Sequence, residues 1–269
     1  MEKNFNYLFK HSKDAGNYFQ KHGKKYLFGM LWAFAIVKMA LLFVWFFSTL
    51  DLGKSSAQAQ VVLTKDNIVS MGCNTDAITC SLSNKWIVGI ENDAFVNHRE
   101  MHTLYLYNNQ ISSLDWVELP RSLQVLRLYN NQLTSLNWVK FPRSLHTLYL
   151  YNNQLTSLAW ARFPSSLIAL DLYNNQISSL DWVNFPSSLQ SLYLSKNKIN
   201  NIDWVEFPSS LGYLGLSKNG LTSLSGVEFP DSLQFLSLGE NQLTSLSGVE
   251  FPDSLQELDL SYNQLTSLD

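Results

Sequence analysis

The sequence predicts a solenoid: short coils stacked side by side, a parallel β-sheet on the concave face, an extended or polyproline-like convex side, and a hydrophobic helix ahead of the array. Three columns of residues predict it. Leu104, Leu126, Leu148, Leu170, Leu192, Leu214, Leu236 and Leu258 recur at a step of 22. Asn109, Asn131, Asn153, Asn175, Asn197, Asn219, Asn241 and Asn263 keep the same step, and so do all seven prolines, from Pro120 to Pro252. A fixed step between 20 and 50 residues marks a repeat array. The chain divides into a basic segment 1–26, an apolar stretch 27–50, a linker 51–60, an N-terminal cap 61–100, and eight repeats over 101–269, the last incomplete.

The first 60 residues carry eight Lys or Arg against three Asp or Glu, whereas the remainder carries eleven against nineteen. Leu27–Leu50 (LFGMLWAFAIVKMALLFVWFFSTL) contains one charge, Lys38. A membrane span needs roughly 20 apolar residues. Lys38 costs about 2.5 to 3.5 kcal/mol at mid-membrane, and the surrounding Leu, Phe, Ile and Val return a few tenths each. The lysines that precede the stretch predict a cytoplasmic N-terminus and repeats across the membrane. A second reading uses the same residues: Met39–Leu50 is the apolar core of a signal peptide, cleaved after Ala57-Gln58-Ala59. Anchor and cleaved signal both put residues 60–269 outside the cytoplasm; a buried globular helix is the third alternative.

Residues 61–100 cap the array. Ile78, Cys80, Asn84, Ile87 and Ile90 imitate a degenerate repeat with an insertion. Cys73 and Cys80 are the whole thiol inventory, which excludes zinc sites built from CxxC pairs. Either the two close a small disulfide, as an oxidising compartment permits, or they are reduced and buried.

Within each repeat the physics is local. In LQVLRLYNNQL (123–133) the two leucines of L-R-L point the same way, because strand side chains alternate. They enter the core and the residue between them faces out. The Asn column sits where the chain leaves the strand, and a buried amide there satisfies backbone groups of adjacent coils. The proline fixes φ and removes a donor, so the FPSSL return does not form a regular helix. One repeat buries too little to fold alone, so the stack folds as one domain. At the far end the eighth repeat stops at Asp269 without its FPxSL return, which leaves a truncated chain or a fraying coil.

The pattern L-x-x-L-x-L-x-x-N-x-L is that of leucine-rich repeats (LRR), and segments such as FPDSLQELDLSYNQLTSL (251–268) resemble the bacterial repeats of the YopM/IpaH type. The resemblance covers about 101–269. The chain departs from that type in its D-W-V-E or S-G-V-E link. No cysteine lies beyond Cys80, so the ubiquitin-ligase activity of some members is not carried over. Surface-exposed, internalin-like proteins are the functional analogy that fits an exported domain.

Function rests on the outward columns. One reads Tyr107, Tyr129, Tyr151, Tyr173, then Ser195, Ser217, Gly239 and Ser261; the column two residues earlier reads Tyr105, Arg127, Tyr149, Asp171, Tyr193, Gly215, Ser237 and Asp259. Seven tyrosines thus fall in five repeats, with Arg127 and Asp171 as charged anchors. Tyr offers a large rigid ring and a hydroxyl at low entropic cost. The competing reading is that repeat duplication copied a β-favouring residue that only shelters the sheet. A second aromatic column, Trp116, Trp138, Trp160, Trp182 and Trp204, gives way to Gly226 and Gly248 and is expected to pack on the convex side, a second binding edge being the alternative.

An acidic repeat domain without a basic stripe argues against a nucleic-acid partner. No catalytic set, metal site or cofactor motif is visible: His102 and His146 lie two repeats apart, and no Gly-rich phosphate loop occurs. The expected function is non-enzymatic: an extracytoplasmic module, attached to the membrane through residues 27–50 or secreted, that holds a protein or glycan ligand on the tyrosine face. A secreted effector that scaffolds host proteins and a passive envelope protein are the other readings.

Overall fold

The computed structural model describes residues 59–266. The apolar stretch 27–50, the basic segment before it and the cleavage site up to Gln58 lie outside the described residues. Among the described residues, eleven short strands run in chain order: β1 (Val61–Leu63), β2 (Thr79–Ser81), β3 (Ile87–Ile90), β4 (Thr103–Tyr105), β5 (Val125–Arg127), β6 (Thr147–Tyr149), β7 (Ala169–Asp171), β8 (Ser191–Tyr193), β9 (Tyr213–Gly215), β10 (Phe235–Ser237) and β11 (Glu257–Asp259). Nine form one parallel sheet in the order β2-β4-β5-β6-β7-β8-β9-β10-β11, and β1 pairs with β3 in a second, parallel pair.

The 22-residue step sets the register of the large sheet. Leu104 faces Leu126, Leu126 faces Leu148, and so on to Leu236 opposite Leu258. Columns read from the sequence are therefore columns in space. The inward leucines of the array are buried from Leu104 to Leu246, and the second repeat shows the layering: Leu123, Leu126, Leu128, Leu133, Leu136, Val139 and Phe141 all enter the core. Phe141, Phe163 and Phe185 stack at 6.2 and 6.5 Å under the return segments.

Each buried Asn ties three backbone groups together. The Oδ1 of Asn131 accepts from the Ile111 N–H of the preceding coil, while its Nδ2 donates to the Leu106 and Leu128 carbonyls. The same set repeats at Asn153, Asn175 and Asn241. The serine before each core Leu has a structural task too: the hydroxyls of Ser144, Ser166 and Ser188 donate to the Leu123, Leu145 and Leu167 carbonyls one coil back.

The return segments are less extended than expected. Each holds two tight turns, one closed by Leu123 N–H to the Pro120 carbonyl and its equivalents, the other by Val117 N–H to the Leu114 carbonyl and its equivalents. Proline at the head of the first turn fixes only its own φ, and the two residues after it are free to turn.

The first coil is longer than the rest. Cys80 pairs with Leu104, a step of 24 rather than 22. Asn84 therefore corresponds to exposed Asn108, and Lys85 stands in the buried-Asn column; the Oδ1 of Asn109 closes the gap by accepting from Lys85 and Ile87 N–H. Cys73 and Cys80 are joined by a disulfide with Cα atoms 5.1 Å apart, and both are buried. Ile78, read as part of the cap's degenerate repeat, is exposed.

Candidate functional site

In the strands every second residue points to solvent, so the large sheet carries three outward columns. Two are those of the tyrosines; the third begins Thr103, Val125, Thr147, Ala169, Ser191 and continues Tyr213, Phe235, Glu257. All of the candidate ligand residues are on this face: Tyr105, Tyr107, Arg127, Tyr129, Tyr149, Tyr151, Asp171 and Tyr193 are in part accessible, and Tyr173 is exposed.

The rings are organised into clusters. Tyr107 and Tyr129 stack at 4.5 Å and 6° between planes, and Tyr129 and Tyr151 at 4.3 Å and 7°. The parallel register, with strands about 4.8 Å apart, dictates this spacing. In the neighbouring column Arg127 lies between two rings, 4.9 Å from the centroid of Tyr105 and 5.3 Å from that of Tyr149. A cation held on both sides by aromatic faces is fixed in place and loses little further entropy on binding. Its Nε is buried without a hydrogen-bond partner. Lys196 covers Tyr173 at 5.8 Å.

Two residues of the site escape a reading of the two tyrosine columns alone. Tyr213 packs against Tyr193 at 4.5 Å, and Phe235 follows at 6.4 Å from Tyr213. The aromatic surface thus reaches the seventh repeat instead of ending at the fifth. Gly215 makes room for it: a Cβ there would lie 3.2 Å from the Tyr213 ring. The available signal was the strand period, which turns the residue before each L-x-L outward.

Beside the rings runs a polar ladder. The first Asn of each YNN segment adopts φ of 52 to 55° at Asn108, Asn130, Asn152 and Asn174. Asn tolerates this left-handed conformation better than other non-glycine residues. Each donates from Nδ2 to the Oδ1 of the preceding one, at 3.0 Å from Asn108 to Asn84 and 2.6 Å thereafter. Lys196, Lys218 and Glu240 take over the position in later repeats. There Lys218 pairs with Glu240 at 3.0 Å.

Electrostatics follow from burial. Desolvation, then the neighbouring Tyr129, pushes the Tyr151 phenol up to about 12. Desolvation, with Tyr193 next, raises Tyr213. Tyr151 and Tyr213 therefore stay neutral hydroxyl donors at any physiological pH. Asp171 is raised above the usual carboxylate range by burial, against the opposing Tyr173 N–H that donates to its Oδ1 at 3.0 Å. A carboxyl raised in the folded state favours folding most below its unfolded pKa, and that stability is lost as pH rises through the folded value. Asp171→Asn keeps the acceptor for Tyr173 N–H and removes the charge. The variant should have the higher urea midpoint at pH 7, with the difference closing on acidification toward pH 3; equal midpoints at both pH values would contradict this.

The tryptophan column does not pack on the convex side. Trp116, Trp138, Trp160, Trp182 and Trp204 are 55, 60, 73, 89 and 92 % exposed. The turn explains it. Trp116, Trp182 and Trp204 are the third residues of their turns, with φ of 66, 63 and 65°. This geometry normally calls for Gly or Asn, and it projects the ring away from the coil. Gly226 and Gly248 occupy the same place with φ of 79 and 74°.

The comparisons agree with this architecture. A family model described as leucine rich repeat matches residues 143–199, 165–221 and 209–265, and a two-copy model of such repeats matches 99–140 and 121–162. Among solved structures the chain is similar to YopM from Yersinia enterocolitica WA-314, with 28 % identity over 64 % of this chain and 40 % of that one, at a TM-score of 0.51. The chain thus spans less than half the length of YopM. It is also similar to internalin C2 from Listeria monocytogenes, with 25 % identity over 68 % and 80 % of the two chains and a TM-score of 0.58. The LRIM1/APL1C complex shares the fold at 22 % identity, over 77 % of this chain and 43 % of that one, with a TM-score of 0.57. No curated protein matches the chain in sequence. Its in-register leucines, its buried Asn ladder and the matches over residues 99–265 make the chain a member of the leucine-rich-repeat family.

Proposed function

We propose that the chain is a non-enzymatic binding module that holds a protein ligand on the aromatic face of its sheet. The observation that carries this reading is the ring array itself. Tyr107, Tyr129 and Tyr151 stack and Arg127 is clamped between Tyr105 and Tyr149, all without contributing to the leucine core. Such a surface is ordered before a partner arrives, so little conformational entropy is lost on binding. Tyr and Arg are also the residues on which interface energy concentrates.

The module acts outside the cytoplasm, held by Leu27–Leu50 or released after cleavage near Ala59. The basic flank of the apolar stretch supports this placement, and so does the Cys73–Cys80 bridge, since disulfides persist in oxidising compartments. Fractionation separates the two forms: an anchor keeps the chain in the membrane fraction. The other reading, a secreted effector that scaffolds host proteins, requires the form released after cleavage near Ala59.

The test is capture from panels of candidate proteins and glycans by the full chain and by the Tyr129→Ser/Tyr149→Ser/Tyr151→Ser variant. Loss of three contact rings at 1 to 2 kcal/mol or more each corresponds to about 100-fold weaker capture or worse. The circular dichroism spectrum and Tm should change little, because the rings lie outside the core. Unchanged capture by a folded triple variant overturns the proposal, and glycan-only capture replaces the ligand class.

A further inference from the structure

Half a repeat beyond the strands, the exposed tryptophans change character along the array. At the N-terminal end their chemistry is satisfied within the chain. Trp116 and Trp138 stack at 5.6 Å and 13°, and the Lys140 ammonium lies 5.9 Å from the Trp116 centroid. Two repeats on, the same positions are left open. Trp182 and Trp204 are 89 and 92 % exposed.

Relative to the second and third repeats, the residues around them change sign. Lys140 and Arg162 are replaced in their column by Asn184 and Glu206, and Asn137 and Ala159 by Asp181 and Asp203. Between the two turns lies a cleft of about 930 Å³ that no Lys or Arg lines. Asp203 lines this cleft, and one of its carboxylate oxygens is buried without a hydrogen-bond partner. The backbone does not require Trp at either turn, since Gly226 and Gly248 make the same turn two repeats later.

We propose that this cleft docks an arginine- or lysine-bearing peptide segment of a partner protein, its cations seated on the Trp182 and Trp204 faces and hydrogen-bonded to Asp181, Asp203 and Glu206. The chain already shows the contact once, in Lys140 over Trp116; at the open end the cation must come from outside. Three carboxylates on a cleft that no Lys or Arg lines are matched by a cation, whose charge compensates their desolvation on docking. A neutral sugar stacks on tryptophan equally well but leaves those charges uncompensated. The site is separate from the tyrosine face, and it stands whether or not that face binds a ligand.

The test titrates the full chain by calorimetry with a capped octapeptide of alternating Arg and Gly, its Gln-Gly counterpart and maltohexaose. Expected is saturable binding of the Arg peptide alone, weakening as salt is raised. Trp182→Gly/Trp204→Gly should bind at least tenfold more weakly at unchanged Tm, because it installs the residue that the sixth and seventh repeats carry. Asp181→Asn/Asp203→Asn/Glu206→Gln keeps the shape and should weaken binding to the same degree. The tyrosine triple variant should bind as the wild type does, so that failure here and failure of the aromatic sheet face are read separately. Absence of saturable Arg-peptide binding, equal binding by the Trp-less variant, or tighter binding of maltohexaose would each overturn the proposal.

Discussion

Asn153→Ala should lower the stability of the repeat domain by about 3 to 5 kcal/mol, from one side chain of modest size. The cost depends on which backbone groups keep a second partner. Asn153 donates to Leu128 and Leu150 at 3.0 and 2.9 Å and accepts from Leu133 N–H at 3.0 Å. The Leu128 carbonyl keeps a bond from Asn131, and the Leu150 carbonyl keeps one from Asn175. The Leu133 N–H has no such substitute. One buried donor left unpaired costs roughly 1 to 3 kcal/mol, and two lost hydrogen bonds add about 1 each. Because coils contact only their neighbours, the break falls at a single interface in mid-array. Urea unfolding should therefore split into two phases, with the repeats on either side melting apart. Asn263→Ala supplies the internal control. It sits in the last described coil, where the same bonds are partly exposed to water, and its loss should cost less than half as much. Equal effects at the two sites would show that burial of the amide ladder is not what matters.

How much of this was legible in the sequence depended on which property each position shares with its column. The leucines were legible because burial, strand alternation and the step of 22 all agree at Leu104, Leu126 and Leu148. The Tyr107, Tyr129 and Tyr151 row was legible for the same reason, since register follows from the repeat. Tyr213 and Phe235 were not, because their column holds Thr, Val, Ala and Ser in the earlier repeats and looks like filler. The tryptophans misled in a more instructive way. An aromatic every 22 residues beside Val and Phe reads as core, and only the backbone decides otherwise. Glycine at Gly226 and Gly248 was the available signal: a column that accepts either Trp or Gly marks a turn position, where φ is positive at Trp116, Trp182 and Trp204 and the side chain points away. The first coil failed on arithmetic. Its step of 24 moves Lys85 into the Asn column, and no fixed period predicts where an irregular cap inserts two residues.

Reduction of the Cys73–Cys80 disulfide should cost about 2 to 3 kcal/mol and should act on one end of the array only. The bridge spans a sequence separation of 7, and closing a loop of that size removes roughly this much free energy of unfolded-chain disorder. Its placement makes the loss local. Cys80 lies in β2, the edge strand that covers β4, directly opposite Leu104. Cys73 is held on the other side, where the His98 Nε2–H donates to its carbonyl at 3.1 Å. The bond therefore pins the turn-rich stretch before β2 to the coil that shields the first full repeat. With dithiothreitol, amide exchange should accelerate at Leu82 and Leu106, whose N–H groups bond to the next coil, and stay unchanged at Leu194 and Leu216. Cys73→Ala/Cys80→Ala should show the same pattern and no response to the reductant. Uniform acceleration along the array would mean that the cap and the repeats unfold as one unit. In that case the two-phase melting expected for Asn153→Ala should be absent as well, so the two experiments test a single property: whether coupling between coils is strong enough to carry a local break to the far end.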